Sequence, residues 1–209
     1  MTPRLFVVSA PSGTGKTTIV NRLVEEKPDI SLAVSHTTRP PRQQERGGRD
    51  YYFVENEEFD RICKDGGFLE HAEVFGNRYG TSRKEVDEKL ASGRQVILEI
   101  DWQGAEQVRR AKPDAVSIFL LPPSRGELER RLKGRNSDGP DVVARRFAEA
   151  RDDVRKWRKF HYVLINDDLD DTCRRMSSIF EGSGDQHAVS DARCRDLIEN
   201  RIATGGWGG

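Results

Sequence analysis

Eight consecutive residues carry the clearest chemistry in this chain: Ala10-Pro11-Ser12-Gly13-Thr14-Gly15-Lys16-Thr17. They match the G-x-x-x-x-G-K-[ST] pattern except at the first position, where Ala10 replaces glycine. The apolar run Leu5-Phe6-Val7-Val8 precedes them and a helix-like stretch from Thr18 to Glu26 follows. Strand, glycine-rich turn and helix N-terminus form an anion cradle, because backbone N–H groups and the helix dipole converge on one spot. The ammonium of Lys16 could reach the β- and γ-phosphates of a nucleotide, and the hydroxyl of Thr17 could ligate Mg²⁺. Thr18 continues the same turn. A second acidic–apolar segment, Ile97 to Asp101, reads as the strand that accompanies such a loop, with Glu99 or Asp101 holding the metal through water. The residues alone leave open which of the two does so.

Other candidate groups are basic. Arg39, Arg42, Arg46 and Arg49 crowd eleven residues, and Ser124 to Phe160 holds twelve Lys/Arg against seven Asp/Glu. The whole chain of 209 residues nevertheless balances 35 basic against 35 acidic side chains. Local basic clusters on a neutral chain suit small anionic ligands; nothing in the charge argues for nucleic acid or a membrane surface. Cys63, Cys173 and Cys194 are odd in number and lack paired spacing, as expected of reduced thiols without a metal site. Met1-Thr2-Pro3-Arg4 leads straight into a strand pattern, so no signal peptide is expected, and no apolar run is long enough to span a membrane. The expected location is cytoplasmic. Homo-oligomerisation is left open.

The elements that must position these groups alternate. Strands are expected at Leu5–Ser9, Ile30–Ser35, Gln95–Ile100, Ala115–Leu121 and His161–Ile165. Helices are expected at 16–26, 104–111, 127–132, 141–159 and 169–180. Ser124 with Glu127 forms a capping box, and Pro140 suits a first helical turn. That rhythm predicts an α/β fold with a parallel sheet covered on both faces. Residues 36–94 interrupt it with an aromatic strand near Tyr51–Val54, a helix near 57–64, strand-like segments around a Gly76-Asn77 turn, and a helix capped by Ser82. A polar Gly-rich stretch at 133–140 has the composition of a mobile lid. The segment from Gly182 onward is weakly helical at 191–202 and is expected to be a partly disordered appendage.

Together SAPSGTGKT (9–17), SHTTRPPR (35–42), RDYYFV (49–54), GFLEHAEVFGNRYGT (67–81), ILEIDWQGA (97–105), LERRLKGR (128–135) and VLINDD (163–168) resemble the guanylate kinases of the nucleoside monophosphate kinase group. The resemblance runs from about Leu5 to Phe180. Alanine at the first loop position is familiar in bacterial-type members; Asp153 stands where a glutamate would be expected. The resemblance implies a three-layer P-loop core with a five-stranded parallel sheet (1–34, 95–125 and 160–181), a small α+β GMP-binding lobe (35–94), and a mobile helical lid with its following helix (126–159), leaving 182–209 as a tail. It implies transfer of a phosphoryl group from ATP to GMP or dGMP with Mg²⁺. Residues 10–18 would bind ATP. Ser35, Arg39, Arg42, Tyr51, Glu70, Tyr79, Thr81 and Asp101 fall on GMP-contacting positions, with Asp101 favoured near guanine. Arg131, Arg135 and Arg146 fall on lid arginine positions, and with Lys16 and Arg42 they would carry the catalytic positive charge. Asn166 lies where an adenine contact could form.

That assignment makes chemical sense. Two arginines can fork onto phosphate oxygens, with tyrosine hydroxyls beside them. Guanine presents two adjacent N–H donors, N1–H and N2–H₂, that a carboxylate can accept, whereas adenine turns an acceptor toward it. Ser35 could donate to O6. Two other readings use the same residues: a kinase of another phosphorylated acceptor, such as a ribose bisphosphate, and a non-catalytic guanylate-kinase-like binding module. The intact Gly13, Gly15, Lys16 and Thr17 argue against the module.

Overall fold

The computed structural model describes residues 2–74, 76–134 and 140–207, with the side chains of 140–143 excepted. The strands are β1 (Leu5–Ser9), β2 (Ile30–Leu32), β3 (Ser35–Thr37), β4 (Tyr52–Phe53), β5 (Phe68–Val74), β6 (Asn77–Ser82), β7 (Gln95–Glu99), β8 (Val116–Leu121) and β9 (Tyr162–Ile165). The helices are α1 (Lys16–Glu26), α2 (Asn56–Lys64), α3 (Arg83–Ala91), α4 (Trp102–Ala111), α5 (Arg125–Lys133), α6 (Pro140–Asp153), α7 (Leu169–Phe180) and α8 (Ala192–Thr204). A five-stranded parallel sheet runs in the order β2-β7-β1-β8-β9, and a four-stranded sheet in the order β4-β3-β6-β5. The expected α/β core is therefore present. The chain groups into two compact units, Met1–Val7 with Lys27–Val116, and Val8–Glu26 with Ser117–Gly209.

In the first unit β2 pairs with β7 in parallel. The expected single strand at Ile30–Ser35 is instead two, because β2 ends at Leu32 and β3 begins at Ser35 in the other sheet. Ala33 keeps its N–H on the carbonyl of Ile97, so the chain leaves one sheet only where the next is ready to accept it. The four-stranded sheet is sided. Phe68, Phe59 and His36 pack on one face, with Phe68 filling the space over Gly80. Tyr79 and Thr81, two apart on β6, belong to the other face by the period of a strand. Arg78 lies over the Phe59 ring (4.3 Å) and pairs with Asp60 (2.7 Å). It also approaches the half-buried Cys63 sulfur at 3.9 Å. Ser82 caps α3 by accepting the N–H of Glu85 (3.3 Å), as its spacing predicts.

In the second unit α1 buries Ile19, Val20 and Leu23. Truncating Leu23 to alanine would cost about 2–5 kcal/mol, the usual range for a buried leucine. The Ser124 cap at α5 is formed, with the Glu127 N–H on Ser124 Oγ at 3.2 Å, while the Glu127 carboxylate turns to Arg130 and Arg131. Pro140 is the first residue of α6, whose last residues pass into a 3-10 turn over Val154–Lys159. The C-terminal segment departs from expectation. Residues 182–207 are folded: Val189 N–H bonds the His161 carbonyl, α8 buries Cys194 and Ile198, and the Trp207 ring is only 4% exposed. The Gly205 carbonyl accepts the N–H of Arg125, one of the donors that the start of α5 leaves without a helical partner. A late aromatic in a Gly-rich stretch anchors the segment through apolar burial that composition alone understates. Cys173 and Cys194 are buried, and burial pushes both thiols upward in pKa.

Candidate functional site

The phosphate loop is strained only where glycine can carry it. Gly13 and Gly15 sit at φ +87° and +98°, values that residues with a Cβ rarely adopt. The Thr14 N–H closes a turn on the Pro11 carbonyl at 3.2 Å. Gly13 has a second reason: a Cβ there would lie 2.8 Å from Leu132 and 3.0 Å from Leu128. The buried i,i+4 pair of α5 thus rests directly on the loop. Arg131, from the same helix, donates through Nη1 to the Thr14 carbonyl (2.9 Å) and through Nη2 to the Asn166 carbonyl (3.4 Å). Asn166 Nδ2 donates to the same Thr14 oxygen at 2.7 Å. Two side chains therefore brace one peptide of the loop from behind, which fixes the direction of its neighbouring N–H groups. Glu127 holds the Arg131 Nε–H at 2.7 Å, and Arg130 and Arg131 pull its carboxyl down to about 2.

Ala10 and Ser12 are half-buried and Pro11 is buried. Lys16 opens α1, with Thr17 and Thr18 exposed on its first turn. The hydroxyl of Thr14 is buried without a hydrogen-bond partner, unusual for a native polar group. Arg146 is half-buried on α6, and Arg135 lies outside the described residues.

In the other unit, three polar side chains form a row across three strands. Ser35 is opposite Thr81, and Thr81 is opposite Glu70. The register of β5 slips between Phe68 and Glu70, so an extra residue re-aims Glu70 onto Thr81. The Thr81 hydroxyl donates to Glu70 Oε1 at 2.6 Å, and the Ser35 and Thr81 hydroxyl oxygens are 3.4 Å apart. Glu70 is 3% exposed, a buried acid that few globular surfaces would tolerate without partners. Asp101 caps α4: its Oδ1 accepts the Gly104 N–H at 2.8 Å. Gly104 also touches Glu70, since a Cβ built there would stand 2.5 Å from Glu70 Oε2. The two acids expected to meet guanine thus converge on one glycine.

On the same sheet the arginines are unequal. The Arg39 side chain is 14% exposed, lies over the rings of Tyr51 (5.5 Å) and Phe53 (6.0 Å), and hydrogen-bonds Tyr79. Its Nη2 donates to both oxygens of Glu45, at 2.8 and 3.0 Å. Glu45 also accepts the Arg42 backbone N–H at 2.8 Å. Burial opposes charge on Arg39 and on Glu45, but their bond outweighs it; the guanidinium is held above its ordinary pKa and the carboxyl below. Arg42 is 48% exposed, with Nη1 3.9 Å from Glu45. Tyr51 and Tyr79 stand edge to face at 5.9 Å. Burial, then the charge of Glu99, pushes the Tyr51 phenol up to about 12, so it is a neutral O–H donor at physiological pH. Glu99 therefore lies within electrostatic reach of the tyrosine, while Asp101 is engaged at the α4 cap.

A family model described as guanylate kinase matches residues 2–183. The chain belongs to the guanylate kinase family. The guanylate kinase of Alkalilimnicola ehrlichii is 54% identical over 176 residues, covering 84% of this chain and 87% of that one. That of Dechloromonas aromatica is 48% identical over 202 residues, 97% of this chain and 100% of its own length. A crystal structure of guanylate kinase from Anaplasma phagocytophilum superposes with a TM-score of 0.73 at 36% identity, covering 96% of each chain. Guanylate kinases are ATP:GMP phosphotransferases, and these comparisons favour neither the ribose-bisphosphate kinase nor the non-catalytic module. Among the described residues no helix is long and apolar enough to cross a membrane.

Four residues hold roles that their local sequence does not specify. Glu45 organises the arginine segment, Glu127 holds Arg131, and Gly104 and Gln107 seat α4. Glu127 signals only a helix start, by its spacing from Ser124, and Gly104 stands out as a glycine at the head of a helical pattern, where alanine would be about 1 kcal/mol better.

Proposed function

We propose that this chain transfers the γ-phosphoryl group of ATP to GMP or dGMP, forming ADP and the nucleoside diphosphate. The observation that carries the assignment of the acceptor is the convergence of Glu70 and Asp101 on Gly104, beside the Ser35–Thr81 row. Guanine N1–H and N2–H₂ would donate to these acids, and Ser35 would donate to O6. Adenine would turn its N1 lone pair toward a buried carboxylate, a loss on the order of a few kcal/mol. Arg42, Arg39 and the Tyr51 and Tyr79 hydroxyls would bind the acceptor phosphate. Of the two arginines, the exposed Arg42 is the freer to fork onto it.

The donor end would use the N–H groups of residues 13–17, and the orphaned Thr14 hydroxyl gains a partner if a phosphate oxygen arrives. Mg²⁺ suits the residues present. A hydroxyl and a carboxylate would leave most of its coordination to water and substrate phosphates, the usual mode of this ion. Thr17 would ligate it, with Glu99 acting through water, since Asp101 is the acid assigned to guanine. When bound, the ion neutralises charge on the β- and γ-phosphates. A GMP phosphate oxygen attacks the γ-phosphorus as the bond to the ADP oxygen breaks. No general base is needed, because the second phosphate pKa is about 6. Lys16, Arg135 and Arg146 would stabilise the charge that spreads over the equatorial oxygens, while Arg131, spent on the Thr14 and Asn166 carbonyls, would hold the loop in place. Asn166 spends its amide nitrogen on Thr14, which leaves Oδ1 for adenine.

The test is a coupled assay with ATP and Mg²⁺ across GMP, dGMP, AMP, UMP and ribose phosphates. GMP and dGMP should be consumed and the rest ignored, and Glu70→Gln should lower kcat/KM for GMP by about 10- to 150-fold, the worth of a hydrogen bond to a charged group. Absence of GDP with the wild-type protein, or a ribose phosphate as the better acceptor, overturns the proposal.

A further inference from the structure

The α4 helix meets β5 through residues one turn apart, Gly104 against the Glu70 carboxylate and Gln107 against the His71 backbone. Asp101 is the cap, Gly104 lies in the first turn, and Gln107 follows one turn later. The Gly104 backbone N–H holds Asp101 Oδ1 at 2.8 Å. On its other side the bare Cα leaves room for Glu70: an added Cβ would lie 2.5 Å from Oε2 and 3.2 Å from Cδ. No left-handed backbone angle requires glycine here, and glycine is the poorest helix former after proline. Close approach of the acid, tighter than that of Ile100 Cδ1 at 3.2 Å, is the main remaining reason for it. Gln107 fixes the register of this contact. Its Nε2–H donates to the His71 carbonyl (2.7 Å) and its Oε1 accepts the His71 N–H (3.1 Å). β5 is the edge of the four-stranded sheet, and Gln107 gives it the paired bonds a neighbouring strand would give, one residue from Glu70.

We infer that Gly104 and Gln107 are specificity-determining positioning residues, which set the separation of the Glu70 and Asp101 carboxylates so that a purine is read by both of its neighbouring N–H donors together. This rests on the proposed assignment of those acids to guanine. Inosine monophosphate is the discriminating probe, because it keeps N1–H and lacks the exocyclic amine. A base held at two points loses more from that deletion than a base held at one.

The experiment compares kcat/KM for GMP and for IMP in wild type, Gly104→Ala, Gln107→Ala and Glu70→Gln, with KM for ATP and the melting temperature as controls. In Gly104→Ala the flexible end of Glu70 must give way while the helix gains a better residue. The GMP/IMP ratio should fall about tenfold or more, with melting temperature unchanged or raised and KM for ATP within about twofold of wild type. Gln107→Ala adds no bulk and should lower the ratio about threefold. It carries the test should Gly104→Ala fail to fold. If Glu70→Gln lowers the ratio while Gly104→Ala and Gln107→Ala leave it at the wild-type value, the positioning inference is overturned and the guanine assignment stands. If Glu70→Gln itself leaves the ratio unchanged, the assignment of Glu70 falls and takes the inference with it.

Discussion

At the phosphate loop the groups that would meet an anion are main-chain N–H groups, and side chains hold them from behind. Arg131 and Asn166 both donate to the Thr14 carbonyl, and Leu128 and Leu132 press on Gly13. In the segment from Arg39 to Glu45 the relation is reversed. There the groups that would meet an anion are guanidinium and phenol side chains, and a carboxylate, Glu45, gathers them through Arg39 and the Arg42 N–H. A grip made of backbone is rigid and hard to alter one residue at a time. A grip made of side chains can adapt to an acceptor that must enter and leave, and each finger can be removed singly.

Lys16→Ala is the severest test of that contrast. The backbone cradle should still bind ATP, so KM for ATP should change little while kcat drops by about 10³-fold, comparable to removing a charged transition-state partner. Stopped-flow or coupled kinetics with the melting curve as control would measure it, and near-normal kcat would break the donor half of the comparison. Arg42→Ala should act the other way. KM for GMP should rise by about tenfold or more, with KM for ATP unchanged, since one hydrogen-bonded charge is lost from a grip built of side chains. Equal effects on both substrates would mean that the two halves are not separately built.

The smallest expected effect concerns Glu45. Its carboxyl is held below the ordinary range, so its contribution to stability is complete above about pH 4.5 and is lost as pH falls through its lowered folded value. Wild type should exceed Glu45→Gln in melting temperature near neutrality by about 2–4 °C, the shift expected of about 1 kcal/mol in a chain of this size. The gap should close on acidification below pH 4.5. A gap that does not change with pH would show that the carboxylate charge is not what gathers the arginines.

Much of this arrangement was legible in the sequence because it depends on local rules. The strand–loop–helix around Gly13–Lys16, the Ser82 and Ser124 caps and the hairpin turn at Gly76 are set by neighbours in the chain. The split of Ile30–Ser35 into β2 and β3 was hidden, since the run from Ile30 to Val34 is apolar enough for one strand and only the separate sheets divide it. The bulge that turns Glu70 toward Thr81 was hidden for the same reason: register is a property of pairs of strands. Arg131 showed its charge but not its partner, the carbonyl of a residue 117 positions earlier. Trp207 lay in a stretch whose composition suggested disorder, and the Gly205 carbonyl beside it is held by the Arg125 N–H, far away in the chain.

The three thiols differ in a way that is useful at the bench. Cys173 and Cys194 are enclosed and resist ionisation, whereas Cys63 is half-open on α2, within 3.9 Å of an Arg78 guanidinium nitrogen. A maleimide dye applied to the native protein would therefore settle on α2 in preference to the other two positions. Cys63 thus offers an attachment point for a fluorescent reporter beside the four-stranded sheet with no engineered cysteine.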